Sequence, residues 1–173
     1  MLTARNFLEL AGSRVYVKKL DKSYIEEYWQ AFDAASIETM IFTGTQAVFS
    51  KSDMERYLEG ISSDKSRVDF LIFSRDTNQM LGEVVLNNIN RNNSSANIRI
   101  LIFHKDNFGK GYGTEAMTLA LHYGFGMLGL HRIELGVLPF NDRGLHTYEK
   151  IGFKREGILR DGEFFNHKYH DLI

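Results

Sequence analysis

Three glycines at alternate positions, in Gly109-Lys110-Gly111-Tyr112-Gly113, stand directly in front of the helix-forming run Thr114-Glu115-Ala116-Met117. No other stretch constrains the chain as much. Glycine costs backbone entropy and is placed where φ must be positive or where a side chain would obstruct. In front of a helix, such a turn lets several backbone N–H groups converge, and the helix dipole adds partial positive charge at the same point. The turn therefore reads either as a socket for phosphate oxygens or as a plain helix start. A dinucleotide fingerprint, G-x-G-x-x-G, fails on Thr114 when counted from Gly109, and from Gly111 it meets Ala116. No Walker A loop is present. A socket here would suit a phosphate-bearing ligand other than the two commonest.

The rest of the chain supplies the context. Arg14 to Leu20 alternates as a first strand. Ser23 and Glu26 have capping-box spacing at the head of a helix whose Ile25, Tyr28, Trp29 and Phe32 share one face. Ser52 and Glu55 repeat that spacing before Met54, Tyr57, Leu58 and Ile61. Between the two helices, Ile37 to Phe49 is irregular, with Gly44 in its middle, and reads equally as a lid or a connector. Val68 to Ser74, Met80 to Ile89 and Ala96 to Phe103 are expected as an antiparallel meander. The glycine turn and its helix follow, then a strand over His131 to Val137. Asn141, after the chain's single proline, is a good N-cap for a helix through Leu145 and Tyr148 that Gly152 closes. Phe153 to Leu159 and His167 to Ile173 are expected as closing strands, joined by a loop through Asp161 and Gly162. The fold class is α/β, an α+β sandwich: a mixed, mostly antiparallel central sheet with helices on both faces, in one domain over residues 1–173.

Composition narrows the function classes. Against 22 acidic residues stand 21 Lys and Arg, for a formal net charge of −1. Binding to a nucleic-acid backbone would normally need a basic excess, so none is expected. Cysteine is absent, which removes zinc–thiolate sites and any cysteinyl acyl-enzyme. No metal is expected. Arg5, Asn6 and Glu9 interrupt the first residues, and no apolar run approaches a membrane span, so the expected location is cytoplasmic, without membrane association.

A strand ending Ile100-Leu101-Ile102-Phe103, followed by Gly109-Lys110-Gly111-Tyr112-Gly113-Thr114-Glu115-Ala116, resembles the acetyl-CoA motif of the GNAT superfamily of N-acetyltransferases. Asn141-Asp142-Arg143-Gly144-Leu145-His146-Thr147-Tyr148-Glu149-Lys150-Ile151-Gly152-Phe153 resembles that superfamily's second conserved segment. The similarity is strongest to the branch typified by ribosomal-protein N-terminal acetyltransferases, which also holds enzymes for small amines. The two motifs at this separation favour the phosphate socket over the plain turn.

The resemblance implies acetyl-CoA as co-substrate. Its pyrophosphate would lie on the backbone of Gly109, Lys110, Gly111, Tyr112, Gly113 and Thr114. Its pantetheine arm would pair with the strand edge at Ile100, Leu101 and Ile102. Asn141 would hydrogen-bond the coenzyme, besides its N-cap role. Tyr148, otherwise a core aromatic, would protonate the departing thiolate. A backbone N–H near Leu101 would stabilise the oxyanion in a direct transfer within a ternary complex.

The implied acceptor is a primary amine: a peptide N-terminus, a polyamine or another small amine. Asp33, Glu38, Glu83, Asp161 and Glu163 are candidate acidic partners for it. The sequence departs from the family pattern at Phe108, where a Gln or Arg is common. It departs again at Asn97 and Arg99, where many relatives carry a Glu base. Glu83 is the substitute base. Loss of that base also leaves open a non-catalytic acyl-CoA sensor or interaction module, and a second subunit, as in a homodimer, would finish the acceptor side.

Overall fold

The computed structural model describes residues 9–43 and 49–173. Its elements are β1 (Glu9–Ala11), β2 (Val15–Lys19), α1 (Ile25–Asp33), α2 (Ile37–Phe42), α3 (Lys51–Ser63), β3 (Val68–Ser74), β4 (Met80–Asn90) and β5 (Ser95–Ile102). They continue with α4 (Tyr112–His122), β6 (Arg132–Glu134), α5 (Asp142–Lys150), β7 (Leu159–Phe165) and β8 (Lys168–Leu172). Six strands form one sheet in the order β1-β2-β3-β4-β5-β6, while β7 and β8 form a separate hairpin. Every neighbouring pair in the large sheet is antiparallel except β5 and β6, which run parallel.

Both faces of this sheet are covered, which explains why β3 is buried along its whole length. On one face Val17, Phe70, Ile72, Val84 and Ile98 pack against Ala116, Met117 and Ala120 of α4. On the other, Leu71, Phe73, Leu101 and Phe103 meet Tyr28 of α1 and Met54 and Leu58 of α3. Alternate strand residues divide between the faces, as a period of two requires. The meander and the helices on both faces agree with the sequence expectation.

Local chemistry moved several boundaries. Asp21, not Ser23, caps the first helical turn: its carboxylate accepts from the Ser23 N–H at 2.7 Å, and α1 begins at Ile25. The capping box of α3 is Ser50 with Asp53, two residues ahead of the Ser52–Glu55 pair. Ser50 is extended, so its N–H is free to reach the Asp53 carboxylate at 2.9 Å. Ile37 to Phe42 is helical, while residues 44–48, including Gly44, lie outside the described residues.

The strand expected over His131 to Val137 covers only Arg132–Glu134. Beyond it the chain leaves β5, and Val137 instead exchanges two backbone bonds with Ile173, each 3.0 Å. Phe153 to Ile158 is irregular, and the hairpin turn falls at Asn166-His167, both with positive φ. That is the primed-turn geometry that tight hairpins favour. The Asp161-Gly162 pair lies inside β7, where the register with β8 slips, so it marks a bulge rather than a turn. No described helix is long and apolar enough to cross a membrane.

Candidate active site

The divergence of β5 and β6 creates the site. They pair only at Ser95, Ala96 and Asn97, so β5 runs on to Ile102 with one edge open. Strand alternation decides which backbone groups face that edge. The Phe103 N–H bonds the Leu81 carbonyl at 2.9 Å. The Leu101 carbonyl also lies against β4, so close that a Cβ on Gly82 would meet its oxygen at 1.9 Å. Odd-numbered residues of β5 thus turn their polar groups toward β4, while the Phe103 carbonyl, beyond the strand, accepts from the Ser36 N–H at 2.7 Å. Ile100 and Ile102 face the opening, and the Ile102 carbonyl accepts from Thr39 Oγ1 at 2.7 Å. This shifts the edge donor expected near Leu101 to its even-numbered neighbours.

The glycine turn lies at the mouth of this opening. Gly109 and Gly111 hold φ of 73° and 82°, a left-handed backbone that other residues adopt only with strain, and Gly111 is the N-cap of α4. The first N–H groups of α4, those of Tyr112, Gly113 and Thr114, have no carbonyl within the helix to reach. Glu115 anchors this turn to the start of β2. Its carboxylate accepts from the Ser13, Arg14 and Val15 N–H groups at 2.7–2.8 Å, and the space it needs is the missing side chain of Gly12. Burial pushes the Glu115 carboxyl upward, but these hydrogen bonds outweigh it and hold it below the ordinary carboxylate value.

From the other side comes α5. Asn141, buried, caps it by accepting from the Gly144 N–H at 2.9 Å. Two turns after Asn141, Tyr148 lies half-buried, its ring edge-on to Phe153 with centroids 6.1 Å apart. Burial raises the Tyr148 phenol above its ordinary value, against a smaller opposing pull from Arg143, so the hydroxyl keeps its proton at neutral pH. The three parts enclose a cavity of about 350 Å³.

This cavity brings together Ile100, Leu101, Ile102, Gly109, Gly111, Tyr112, Gly113, Thr114, Asn141 and Tyr148. Two candidates stay outside its lining. Lys110 offers its carbonyl to Arg14 Nη1 at 3.0 Å. Glu83 is 2% exposed and shares the Leu101 face of the sheet, under α1. Its Oε1 is 3.0 Å from Arg99 Nη2, and its Oε2 accepts from the Tyr28 hydroxyl at 2.8 Å. Burial and the neighbouring Glu83 charge push the Tyr28 phenol well upward, so the proton stays on the tyrosine. Of the other candidate acids, Glu38 pairs with Lys105 at 2.8 Å.

The sequence reading missed Thr39, Phe42 and Arg143, all of which line the cavity. The Arg143 guanidinium lies 3.3 Å from the centroid of the Phe108 ring and 5.1 Å from that of Phe42. Burial lowers the Arg143 value and the neighbouring Tyr148 raises it. Phe42 had no local signal, because only tertiary packing brings α2 to this mouth.

Residues 14–154 match the acetyltransferase (GNAT) domain model. A spermidine N(1)-acetyltransferase of Vibrio cholerae is 38% identical over 54% of this chain and 53% of its own length. A putative ribosomal N-acetyltransferase of Bacillus subtilis is 34% identical over 54% of this chain and 51% of its own. The solved structure of a V. cholerae spermidine N-acetyltransferase with CoA and spermine superposes at a TM-score of 0.83, with 26% identity and 93% of each chain covered.

Proposed function

The chain belongs to the GNAT acetyltransferase family, which makes it an acetyl-CoA N-acetyltransferase, and from that premise we propose direct transfer of the acetyl group to a primary amine. The observation that carries the proposal is one cavity combining the open β5 edge, the glycine-capped start of α4 and Tyr148. Each part matches a need of the donor. The pyrophosphate needs N–H groups without side-chain obstruction, and Gly109 to Thr114 offer them. The pantetheine amides need strand-like partners, which Ile100 and Ile102 present at the open edge. A thiolate leaving group needs a proton, and the Tyr148 hydroxyl is protonated.

In this reading the neutral amine attacks the thioester carbonyl, the C–S bond breaks as the C–N bond forms, and Tyr148 protonates the departing sulfur. The proton lost by nitrogen goes to water or to Glu83. Because each Glu83 oxygen already has a partner, that second route needs the Arg99 contact to open.

For the acceptor we propose a polyamine or small amine ahead of a peptide N-terminus. The support is the likeness to the spermidine enzyme, at higher identity and with overall structural agreement. The test is release of CoA thiol from acetyl-CoA with spermidine, spermine, aminoglycosides and short peptides. Turnover with polyamines is expected. Turnover with peptides alone reverses the acceptor assignment. Coenzyme binding without turnover on any amine leaves the acyl-CoA sensor. A second subunit is part of the same proposal, because Ile158, Leu159, Phe164 and Tyr169 are exposed at the β7–β8 hairpin. A monomer mass by sedimentation at micromolar concentration removes it.

A further inference from the structure

Phe108 occupies a position where the GNAT loop commonly carries a polar or cationic side chain, yet the charge is present from elsewhere in the fold. The Arg143 guanidinium carbon lies 3.3 Å from the Phe108 ring centroid. So short a distance is reached only above the face of the ring, with the guanidinium lying flat on it. Its N–H groups then radiate from the edge of the stack instead of being spent on the ring. Phe42 stands 5.1 Å away, so two aromatic residues from separate elements confine the cation.

Charge pairing divides the arginines: Arg14, Arg75, Arg91 and Arg160, like Arg143, show no ion pair with a carboxylate among the described residues, but of these only Arg143 lines the cavity. Arg56, Arg67, Arg99, Arg132 and Arg155 each pair with a carboxylate. Among the described residues no carboxylate lies within ion-pair distance of Arg143. It lines the cavity alongside Gly109, Gly111 and Asn141. An exposed guanidinium held against an aromatic ring without a counter-charge, next to converging backbone N–H groups, is arranged for an anion.

We propose that Arg143 clamps a phosphate of the coenzyme, and that Phe108 is the platform that presents it. The departure at Phe108 then replaces a direct contact with an indirect one. The proposal rests on the reading of this cavity as the acetyl-CoA site. It commits to the pyrophosphate, because Phe108 adjoins Gly109 in the loop assigned to that group.

Calorimetric titration of the apo protein tests this, using acetyl-CoA and its 3′-dephospho analogue over a series of salt concentrations. Arg143→Ala should weaken acetyl-CoA binding about 10- to 100-fold, the range for losing a charge-assisted hydrogen bond. The loss should persist with the dephospho analogue, and the salt dependence should flatten because one screened charge contact is gone. Arg143→Lys should recover part of the affinity, and it also serves where the alanine variant does not fold. Phe108→Ala should weaken binding less, and adding it to Arg143→Ala should cost little more, because Phe108 acts through the arginine.

A loss confined to acetyl-CoA places the contact at the 3′-phosphate and overturns the pyrophosphate clamp. Unchanged affinity in Arg143→Ala overturns the proposal while leaving the site reading intact. So does a loss with unchanged salt dependence, which would mark a packing role. Full additivity of the two substitutions removes the platform. If the wild-type protein does not bind acetyl-CoA, the site reading fails and the clamp fails with it.

Discussion

Tyr148 and Glu83 are both tyrosine- or carboxylate-bearing candidates for proton transfer, but their surroundings differ. Tyr148 is half-buried, has no strong hydrogen-bond partner among the described residues and lines the cavity. Tyr148→Phe should therefore lower kcat by about 10²- to 10⁴-fold, the usual range for a general acid. Acetyl-CoA affinity measured by calorimetry should stay nearly unchanged, and an unaltered kcat would remove the acid role. Glu83 is held in a buried network with Tyr28 and Arg99. Glu83→Gln keeps the shape but removes the charge facing Arg99, whose side chain is 46% exposed and so remains partly solvated. Urea unfolding should show a loss of about 1–3 kcal/mol, below the cost of breaking a fully buried pair. If kcat/KM per folded molecule also falls and its acidic limb shifts, Glu83 is the base; a stability loss alone makes it a structural anchor.

At the scale of elements, the start of α4 depends on contacts 100–102 residues away in sequence. Glu115 gathers the N–H groups of Ser13, Arg14 and Val15 and so fixes the glycine turn against β2. Its carboxyl value is depressed in the folded state, so its contribution is present in full above the ordinary value of 4.5. That contribution is lost as the pH falls through the lower folded-state value, where the carboxylate takes up a proton. Glu115→Gln should thus destabilise the protein near neutrality, by about 1–2 kcal/mol. The gap from wild type should close in acid, and a gap that stays constant across the acid range in pH-dependent unfolding would reject the charge-based account. The helix after the turn, the meander before it and the cap at Asn141 were all legible, because each depends on neighbours a few residues apart. The caps at Asp21 and Ser50 were misplaced because several Ser and Asp residues compete there, and only the backbone angles choose between them. The hairpin turn was misplaced for a similar reason. Asp161-Gly162 is a stronger local turn signal than Asn166-His167, yet it was used for a bulge.

For the whole molecule, the decisive event is that β6 leaves β5 after Asn97 and pairs its continuation with Ile173 instead. The resulting cleft draws on β5, α4, α5 and α2, so a bound coenzyme would hold four elements together. Acetyl-CoA at about 100 times its Kd should add about 2.7 kcal/mol to stability. For a chain of this size that corresponds to a rise of about 5–10 °C in Tm. Thermal unfolding with acetyl-CoA, NAD and ATP in parallel reads this directly, and stabilisation by the nucleotides but not by acetyl-CoA would exclude the proposed donor site.

What the sequence determined by itself was the glycine turn, the helix after it and the order of the elements along the chain. Positive-φ glycines, a helix start, an N-cap and an amphipathic run are local properties, and local sterics and hydrogen bonding write them into short stretches. What only the tertiary structure decided was the company each side chain keeps. Arg143 lies on Phe108 because α5 packs beside the loop. Glu83 is enclosed because α1 brings Tyr28 over β4 and the strand register brings Arg99 alongside. Such neighbours are tens of residues apart, and their meeting depends on how the two cores close around the sheet, which no short stretch of sequence encodes.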